Sequence, residues 1–221
     1  MRFVPRFTDG QAFPEALGKI VCVGRNYADH ARELDNPVPS EPLLFIKPAT
    51  TAVPLERPID APFSRGEVHY ETELALLIGK ELSDATSDEA ERAIAGIGLA
   101  LDLTLRDVQS RLKEKGHPWE IAKSFDGACP LSAFLPLAQV PNWSAISFTL
   151  EVDGEPRQKG EGADMLFPVS TLVAEMSRHF TLQPGDVVLT GTPAGVGPLE
   201  RGSRLRFTLT GGFEVNTRVV D

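Results

Sequence analysis

The stretch Val68-His69-Tyr70-Glu71-Thr72-Glu73-Leu74-Ala75-Leu76-Leu77-Ile78, closed by Gly79, decides how the rest of the chain is read. It begins half polar and ends continuously apolar, the pattern of a strand that runs into a buried sheet. In a strand, residues i and i+2 share a face, so Glu71 and Glu73 are expected to point the same way. Two like charges side by side need a cation or protons. The pair is therefore either a solvated edge or one wall of a buried site.

Working outward, Thr86-Ser87-Asp88-Glu89 is a capping box, in which Thr86 accepts from the N3 amide and Glu89 reaches back. A helix is expected from there to about Ile97. Residues 99–106 alternate well enough for a strand, and residues 107–115 look helical up to Gly116. Upstream, residues 19–24 form a short apolar strand and residues 25–34 suit a short helix. Pro37, Pro39 and Pro42 cannot continue that helix, and residues 35–42 form a candidate lid. Residues 43–46 are another apolar run, and residues 48–66 read as loop or irregular β. The last third reads as a hairpin turning at Asp153-Gly154, a helix over residues 168–179, a strand over residues 186–189, and a closing hairpin around Gly211-Gly212. Many short strands with a few helices make an α+β, mostly β fold.

The chain has 221 residues, 42% hydrophobic and 24% charged, with 19 Gly and 18 Pro. That is a globular composition and, at roughly 100–200 residues per domain, a single domain over residues 1–221. No apolar run reaches the ~18 residues of a membrane span; residues 93–105 are interrupted by Gly96, Gly98 and Asp102. The net charge of −9 repels phosphate backbones and anionic bilayers, so neither nucleic acid nor membrane is an expected partner. Cys22 and Cys129 are too far apart in sequence for a CxxC zinc pattern and are expected to be buried thiols. The opening Met-Arg-Phe-Val-Pro-Arg-Phe lacks the apolar core of a secretory signal, which points to the cytoplasm.

Asp102 lies inside the apolar run Ile97-Gly98-Leu99-Ala100-Leu101-Asp102-Leu103-Thr104-Leu105. A carboxylate there is costly unless paired. It either pairs with a basic side chain, Arg106 being in reach by period two, or joins Glu71 and Glu73 in an all-oxygen site. Three carboxylates without Cys or His favour Mg²⁺, Mn²⁺ or Ca²⁺ over Zn²⁺. Three protein ligands leave positions open for substrate and water. His30 and Glu33 are neighbours on one helix face, where a carboxylate orients and strengthens an imidazole base; an ordinary surface pair has the same spacing.

The strings Val23-Gly24-Arg25-Asn26-Tyr27-Ala28-Asp29-His30-Ala31-Arg32-Glu33, His69-Tyr70-Glu71-Thr72-Glu73-Leu74, Asp102-Leu103-Thr104-Leu105-Arg106-Asp107-Val108-Gln109, Lys123-Ser124-Phe125-Asp126 and Leu189-Thr190-Gly191-Thr192-Pro193-Ala194-Gly195-Val196-Gly197 resemble, in order and spacing, the fumarylacetoacetate hydrolase family. The short chain is similar to its acylpyruvase and oxaloacetate decarboxylase branch.

The resemblance implies a mixed β-roll with a few short helices, a homodimer, and Mg²⁺ or Mn²⁺ held by Glu71, Glu73 and Asp102, with Ca²⁺ as a substitute. It implies a small keto-acid substrate and metal-dependent hydrolysis of the C–C bond of acylpyruvates to pyruvate and a carboxylic acid, with oxaloacetate decarboxylation beside it. Alternatives are an oxaloacetate tautomerase, or an isomerase or decarboxylase of aromatic-degradation keto acids. An alternative of another class is a non-catalytic metal-binding protein. His30, Glu33 and Lys123 are the candidate catalytic residues, Lys123 in a short non-helical stretch. Arg25 and Arg106 are candidates to grip a substrate carboxylate, with Tyr27, Gln109, Thr190, Gly191 and Thr192 also toward substrate. His69, His117 and His179 show no evident partner, and Trp119 and Trp143 read as packing residues.

Overall fold

The capping box at Thr86 forms as its spacing dictates: the Thr86 side chain accepts from the Glu89 amide, and the Glu89 carboxylate accepts from the Thr86 amide at 2.9 Å. The computed structural model describes residues 3–33, 37–140 and 142–221. The chain runs through β1 (Lys19–Gly24), α1 (Ala28–Glu33), β2 (Leu43–Pro48) and β3 (Ala52–Pro54). It continues through β4 (Val68–Tyr70), β5 (Thr72–Ile78), α2 (Ser87–Ala93), β6 (Ile94–Leu101), β7 (Thr104–Leu105), α3 (Arg106–Glu114) and α4 (Glu120–Lys123). The rest is β8 (Cys129–Leu131), β9 (Leu135–Pro136), β10 (Ser147–Val152), β11 (Glu155–Glu161), α5 (Val169–His179), β12 (Val187–Leu189), β13 (Gly197–Pro198), β14 (Arg204–Leu209) and β15 (Phe213–Arg218).

Among the described residues, the mixed α+β, mostly β architecture has three sheets. The largest is eight-stranded, in the order β2-β1-β12-β5-β6-β8-β3 with β9 also on β6. A four-stranded sheet, β11-β10-β14-β15, carries both C-terminal hairpins, and a small one joins β13, β4 and β7. At the β10–β11 turn both Asp153 and Gly154 have positive φ, 53° and 84°, the geometry of a two-residue I′ hairpin. α5 buries Val169, Leu172, Val173 and Met176, a stripe at i, i+3, i+4 and i+7. Each such side chain contributes about 1.5–3 kcal/mol by leaving water. Among the described residues, no helix is long and apolar enough to cross a membrane.

Several local expectations are corrected. The helix after the capping box ends at Ala93, and Ile94 already starts β6. β6 is the partner of β5, and ladder pairing outweighs helix propensity in a segment carrying Ile94, Gly96 and Gly98. The stretch 68–78 is two strands in two different sheets, broken at Glu71. The strand expected over 99–106 stops at Leu101 and leaves Asp102 and Leu103 between β6 and β7; Arg106 opens α3 instead. Arg25 has φ of 62° and so lies outside the helix, which begins at Ala28. Lys123 closes the four-residue helix α4. Of the candidate lid, Asp35 and Asn36 fall outside the described residues, as does Leu34 of the expected first helix.

Candidate active site

The break at Glu71 builds the site. β5 and β6 pair antiparallel with Thr72 opposite Leu101 and Glu73 opposite Ala100. One residue further, the Asp102 amide donates to the Glu71 carbonyl at 2.8 Å, so the ladder ends with Glu71 beside Asp102. The carboxylates of Glu71, Glu73 and Asp102 offer oxygens that all lie within 4.8 Å of one another. The three residues are 5%, 1% and 1% exposed. Charges so buried are tolerated only when partnered.

Three cations answer them. Lys123 Nζ donates to Glu71 Oε2 at 2.9 Å and to Asp102 Oδ2 at 2.5 Å. Arg106 pairs with the other Glu71 oxygen, not with Asp102, and donates to Gln109 Oε1 at 2.7 Å. Lys47, 0% exposed, places Nζ 2.7 Å from Asp102 Oδ1. It also donates to the carbonyls of Ala128 at 3.2 Å, Leu103 at 3.4 Å and Lys123. Sequence reasoning missed Lys47, although a lone charge in the strand Leu43-Leu44-Phe45-Ile46-Lys47-Pro48 is the same signal that singled out Asp102.

Glu73 is treated differently from its neighbours. Among the described residues its hydrogen-bond partner is a backbone group, the Gly191 amide at 2.6 Å. Burial, then the nearby Asp102 and Glu71 carboxylates, push its carboxyl well above the usual range. Burial opposes ionisation of Glu71 too, but Lys123 and Arg106 outweigh it and hold that group low. Burial likewise opposes the Lys123 charge, and Asp102 and Glu71 overcome it, raising the ammonium. Asp102 Oδ1 receives no hydrogen bond of proper geometry despite the nearby Lys47. An all-oxygen triad in which Glu73, among the described residues, is paired with no cation fits a hard divalent ion such as Mg²⁺, Mn²⁺ or Ca²⁺.

The triad lines a cleft together with His30, Lys123, Arg25, Arg106, Gln109 and Thr192. His30 is buried on α1, with Nδ1 3.4 Å from Glu33 Oε2. Burial lowers its pKa, opposed by the Glu71 and Glu33 carboxylates. Glu33 stands behind it and accepts from the Gly195 amide at 3.0 and 3.2 Å through its two oxygens. Thr192 Oγ1 donates to the Thr72 carbonyl at 2.9 Å and accepts from Gln158 at 2.8 Å, which fixes the loop after β12 against β5.

The remaining candidates are not on the cleft wall. Thr190 is fully buried, its hydroxyl 3.3 Å from the Leu74 carbonyl. Gly191 acts through the amide it gives Glu73; its φ is +93°, and a Cβ would come within 2.7 Å of the Asn26 Cβ. Tyr27 is buried with an unpartnered hydroxyl, its phenol pushed up by burial and by Glu73 and Asp164. Asn26, quoted above without a role, ties the start of α1 to the Thr190 carbonyl at 2.8 Å.

Trp119 packs edge-on against Phe45 at 5.9 Å between centroids, and both line the cleft. Lys113 lines it too and had no assigned role. His69 pairs with Glu67 at 2.9 Å and His179 with Glu175 at 3.3 Å, both unforeseen. Cys22 and Cys129 are buried free thiols, raised chiefly by desolvation.

The sheets thus bring a carboxylate triad, a buried lysine and a His–Glu pair together at one cleft. The chain belongs to the fumarylacetoacetate (FAA) hydrolase C-terminal family, whose model matches residues 19–220. It is 52% identical over 207 residues to an oxaloacetate tautomerase of Escherichia coli (strain K12), covering 92% of this chain and 93% of that one. The mitochondrial oxaloacetate tautomerase of Homo sapiens is 43% identical over 200 residues, covering 90% of each. Among solved structures, a fumarylpyruvate hydrolase from Pseudomonas aeruginosa, in complex with Mn²⁺ and pyruvate, superimposes with a TM-score of 0.93 at 39% identity, covering 99% of this chain and 96% of that one.

Proposed function

We propose that residues 1–221 form one catalytic domain that interconverts the keto and enol forms of oxaloacetate with a divalent cation, Mg²⁺ or Mn²⁺, held by Glu71, Glu73 and Asp102. The observation that carries this is the buried triad within 4.8 Å, lining a cleft that also holds Lys123 and His30. When bound, the cation supplies a sink for negative charge developing on the oxygens of a chelated keto acid. His30, kept neutral near pH 7 by its burial, takes the C3 proton. In the tautomer that donates from Nδ1 to Glu33, Nε2 is the accepting atom. Glu33, itself held by the Gly195 amide, fixes that tautomer and the ring orientation. Lys123 presents N–H donors to the substrate oxygen that gains charge, and Gln109 and Thr192 complete the polar wall.

The names of the curated relatives favour tautomerisation. The His30–Glu33 pair supports a second reaction in the same site, hydrolysis of acylpyruvates. There the base takes a proton from water, the hydroxide adds to the acyl carbonyl, and the C–C bond breaks to give a carboxylic acid and the enol of pyruvate. The Pseudomonas aeruginosa hydrolase is the relative that favours this second reading. A homodimer, implied by the family resemblance, and a cytoplasmic location complete the proposal.

The test follows the enol absorbance of oxaloacetate, and pyruvate release from acetylpyruvate and oxaloacetate, with Mg²⁺, Mn²⁺ or EDTA. Metal-dependent acceleration of enol–keto exchange supports the main reading. Pyruvate with acetate from acetylpyruvate supports the second, and pyruvate with CO₂ from oxaloacetate identifies decarboxylation. Rates equal to those of free metal for every substrate refute an enzymatic role.

A further inference from the structure

β11 reads Glu155-Pro156-Arg157-Gln158-Lys159-Gly160-Glu161, an almost wholly polar strand, yet Gln158 is only 3% exposed. A buried side-chain amide needs its hydrogen bonds. A β-bulge aims it: Leu150 of β10 lies opposite Gln158 and Glu151 opposite Pro156, which leaves Arg157 as the extra residue. The Gln158 side chain thereby leaves its own four-stranded sheet and meets the eight-stranded one.

What it meets is the open side of β5. β12 ends at Leu189, opposite Ala75, and the loop that follows takes over its pairing, the Thr190 amide donating to the Leu74 carbonyl at 3.1 Å. Thr72 stands between Glu71 and Glu73. Its amide donates to Gln158 Oε1 at 2.9 Å, and its carbonyl accepts from Thr192 Oγ1 at 2.9 Å. Gln158 Nε2 donates to that same Thr192 Oγ1 at 2.8 Å, so the three bonds close a ring. Nε2 also donates to the Pro193 carbonyl at 3.0 Å, which uses both of its N–H groups.

The loop so held supplies a backbone amide to each half of the site. Gly191 donates to Glu73 at 2.6 Å and Gly195 to Glu33 at 3.0 Å. Gly195 has a φ of +95°, and a Cβ there would collide with the Arg157 carbonyl, so the loop rests directly on the bulge of β11. The carboxylate triad and the His30–Glu33 pair therefore depend on one segment, seated on a strand of another sheet.

We infer that Gln158 is a positioning residue: through Thr192 it sets the loop whose amides hold Glu73 in the triad and Glu33 behind His30. This rests on the proposed metal-dependent chemistry and adds to it a residue that is itself not on the cleft wall.

The experiment compares wild type with Q158M, T192V, Q158M/T192V and T192S in the full chain. The first readout is amide hydrogen exchange in EDTA, which needs neither metal nor turnover. In Q158M the amides of Thr72, Gly191 and Gly195 should exchange about ten-fold faster or more while those of β14 keep the wild-type rate; a general loss of stability speeds all of them together. The second readout is Mn²⁺ affinity by electron paramagnetic resonance, with kcat and KM for oxaloacetate at saturating Mg²⁺. Q158M should weaken Mn²⁺ binding about five-fold or more and lower kcat about ten-fold, with KM changed much less. T192V should weaken Mn²⁺ in the same direction, the double variant should be no worse than the poorer single by more than about two-fold, and T192S, which keeps the hydroxyl, should stay near wild type. If Q158M does not fold, Q158E, which keeps an acceptor for the Thr72 amide and loses both donors, should still speed exchange at Gly191 and Gly195. Unchanged exchange at these amides, uniform acceleration across the chain, or additive losses of Mn²⁺ affinity would overturn the inference. If the acceleration is local but wild type neither binds Mn²⁺ nor turns over oxaloacetate, Gln158 still sets the loop and the proposed metal chemistry fails.

Discussion

Lys47→Met removes a buried ammonium while keeping most of its stem volume. Lys47 is fully buried, with Nζ 2.7 Å from Asp102 Oδ1 and hydrogen bonds to the carbonyls of Leu103, Lys123 and Ala128. Removing one partner of a buried ion pair costs about 3–5 kcal/mol, because the other charge stays buried. At about 2–4 °C per kcal/mol for a chain of this size, the midpoint of metal-free protein should fall by roughly 6–20 °C. The assay is thermal and urea unfolding in EDTA of wild type, K47M, D102N and K47M/D102N. The double variant should be more stable than the sum of the singles predicts, since both charges leave together. Lys159 makes a pair of similar length with Glu161, 2.6 Å, but stands 67% exposed, so Lys159→Met should leave the midpoint in place. A K47M protein within about 1 kcal/mol of wild type, or strictly additive singles, would refute the argument that Asp102 depends on Lys47 as a counter-charge beside Lys123.

Other outcomes follow from the same geometry. Asp102→Ala should take Mg²⁺ binding below calorimetric detection; unchanged affinity would remove Asp102 from the ligand set. His30→Ala should cost about 10²–10⁴ in kcat, the usual share of a positioned base, while Mn²⁺ affinity measured by electron paramagnetic resonance stays within a few-fold of wild type. Burial lowers the His30 pKa from its ordinary value of 6.5, so kcat/KM should be flat near pH 7 and fall only as acid protonates the base below pH 6.5. Glu33→Gln removes a charge and a hydrogen bond that raise the His30 pKa, so the acid limb should move to still lower pH while the plateau drops; a limb that moves upward contradicts the assigned pairing. Gly191→Ala should destabilise the protein by about 1–3 kcal/mol, the cost of a residue forced into a sparsely populated backbone region, and weaken metal binding by shifting the amide that holds Glu73.

What the sequence disclosed was local chemistry with a local outcome. The capping box, the Asp153-Gly154 hairpin and the helix α5 each depend on neighbours within one or two turns, and each formed where it was read. The break at Glu71 could not be read this way. β4 and β5 are contiguous in sequence, but β4 pairs with β7 and β13 while β5 pairs with β6 and β12, and those choices are made by residues up to about 130 positions away. The convergence of Glu71, Glu73 and Asp102 was nonetheless expected, because a charge in an apolar run demands a partner. That argument left open whether the partner is a metal or a basic side chain. The structure brings the carboxylates together and also sets Lys123, Lys47 and Arg106 against them. Lys47 went unread because lysine at a strand end normally reaches solvent; the carbonyls that hold its head come from loops far along the chain.

The most direct measurement is an anomalous difference map from crystals of the protein grown with Mn²⁺. The expected result is one peak within about 2.0–2.3 Å of an oxygen from each of Glu71, Glu73 and Asp102, the range for hard-ion carboxylate coordination. Featureless density between these three side chains at saturating metal, with the Lys123 ammonium still bridging Glu71 and Asp102, would show that the triad is an internal ion-pair network and no metal centre.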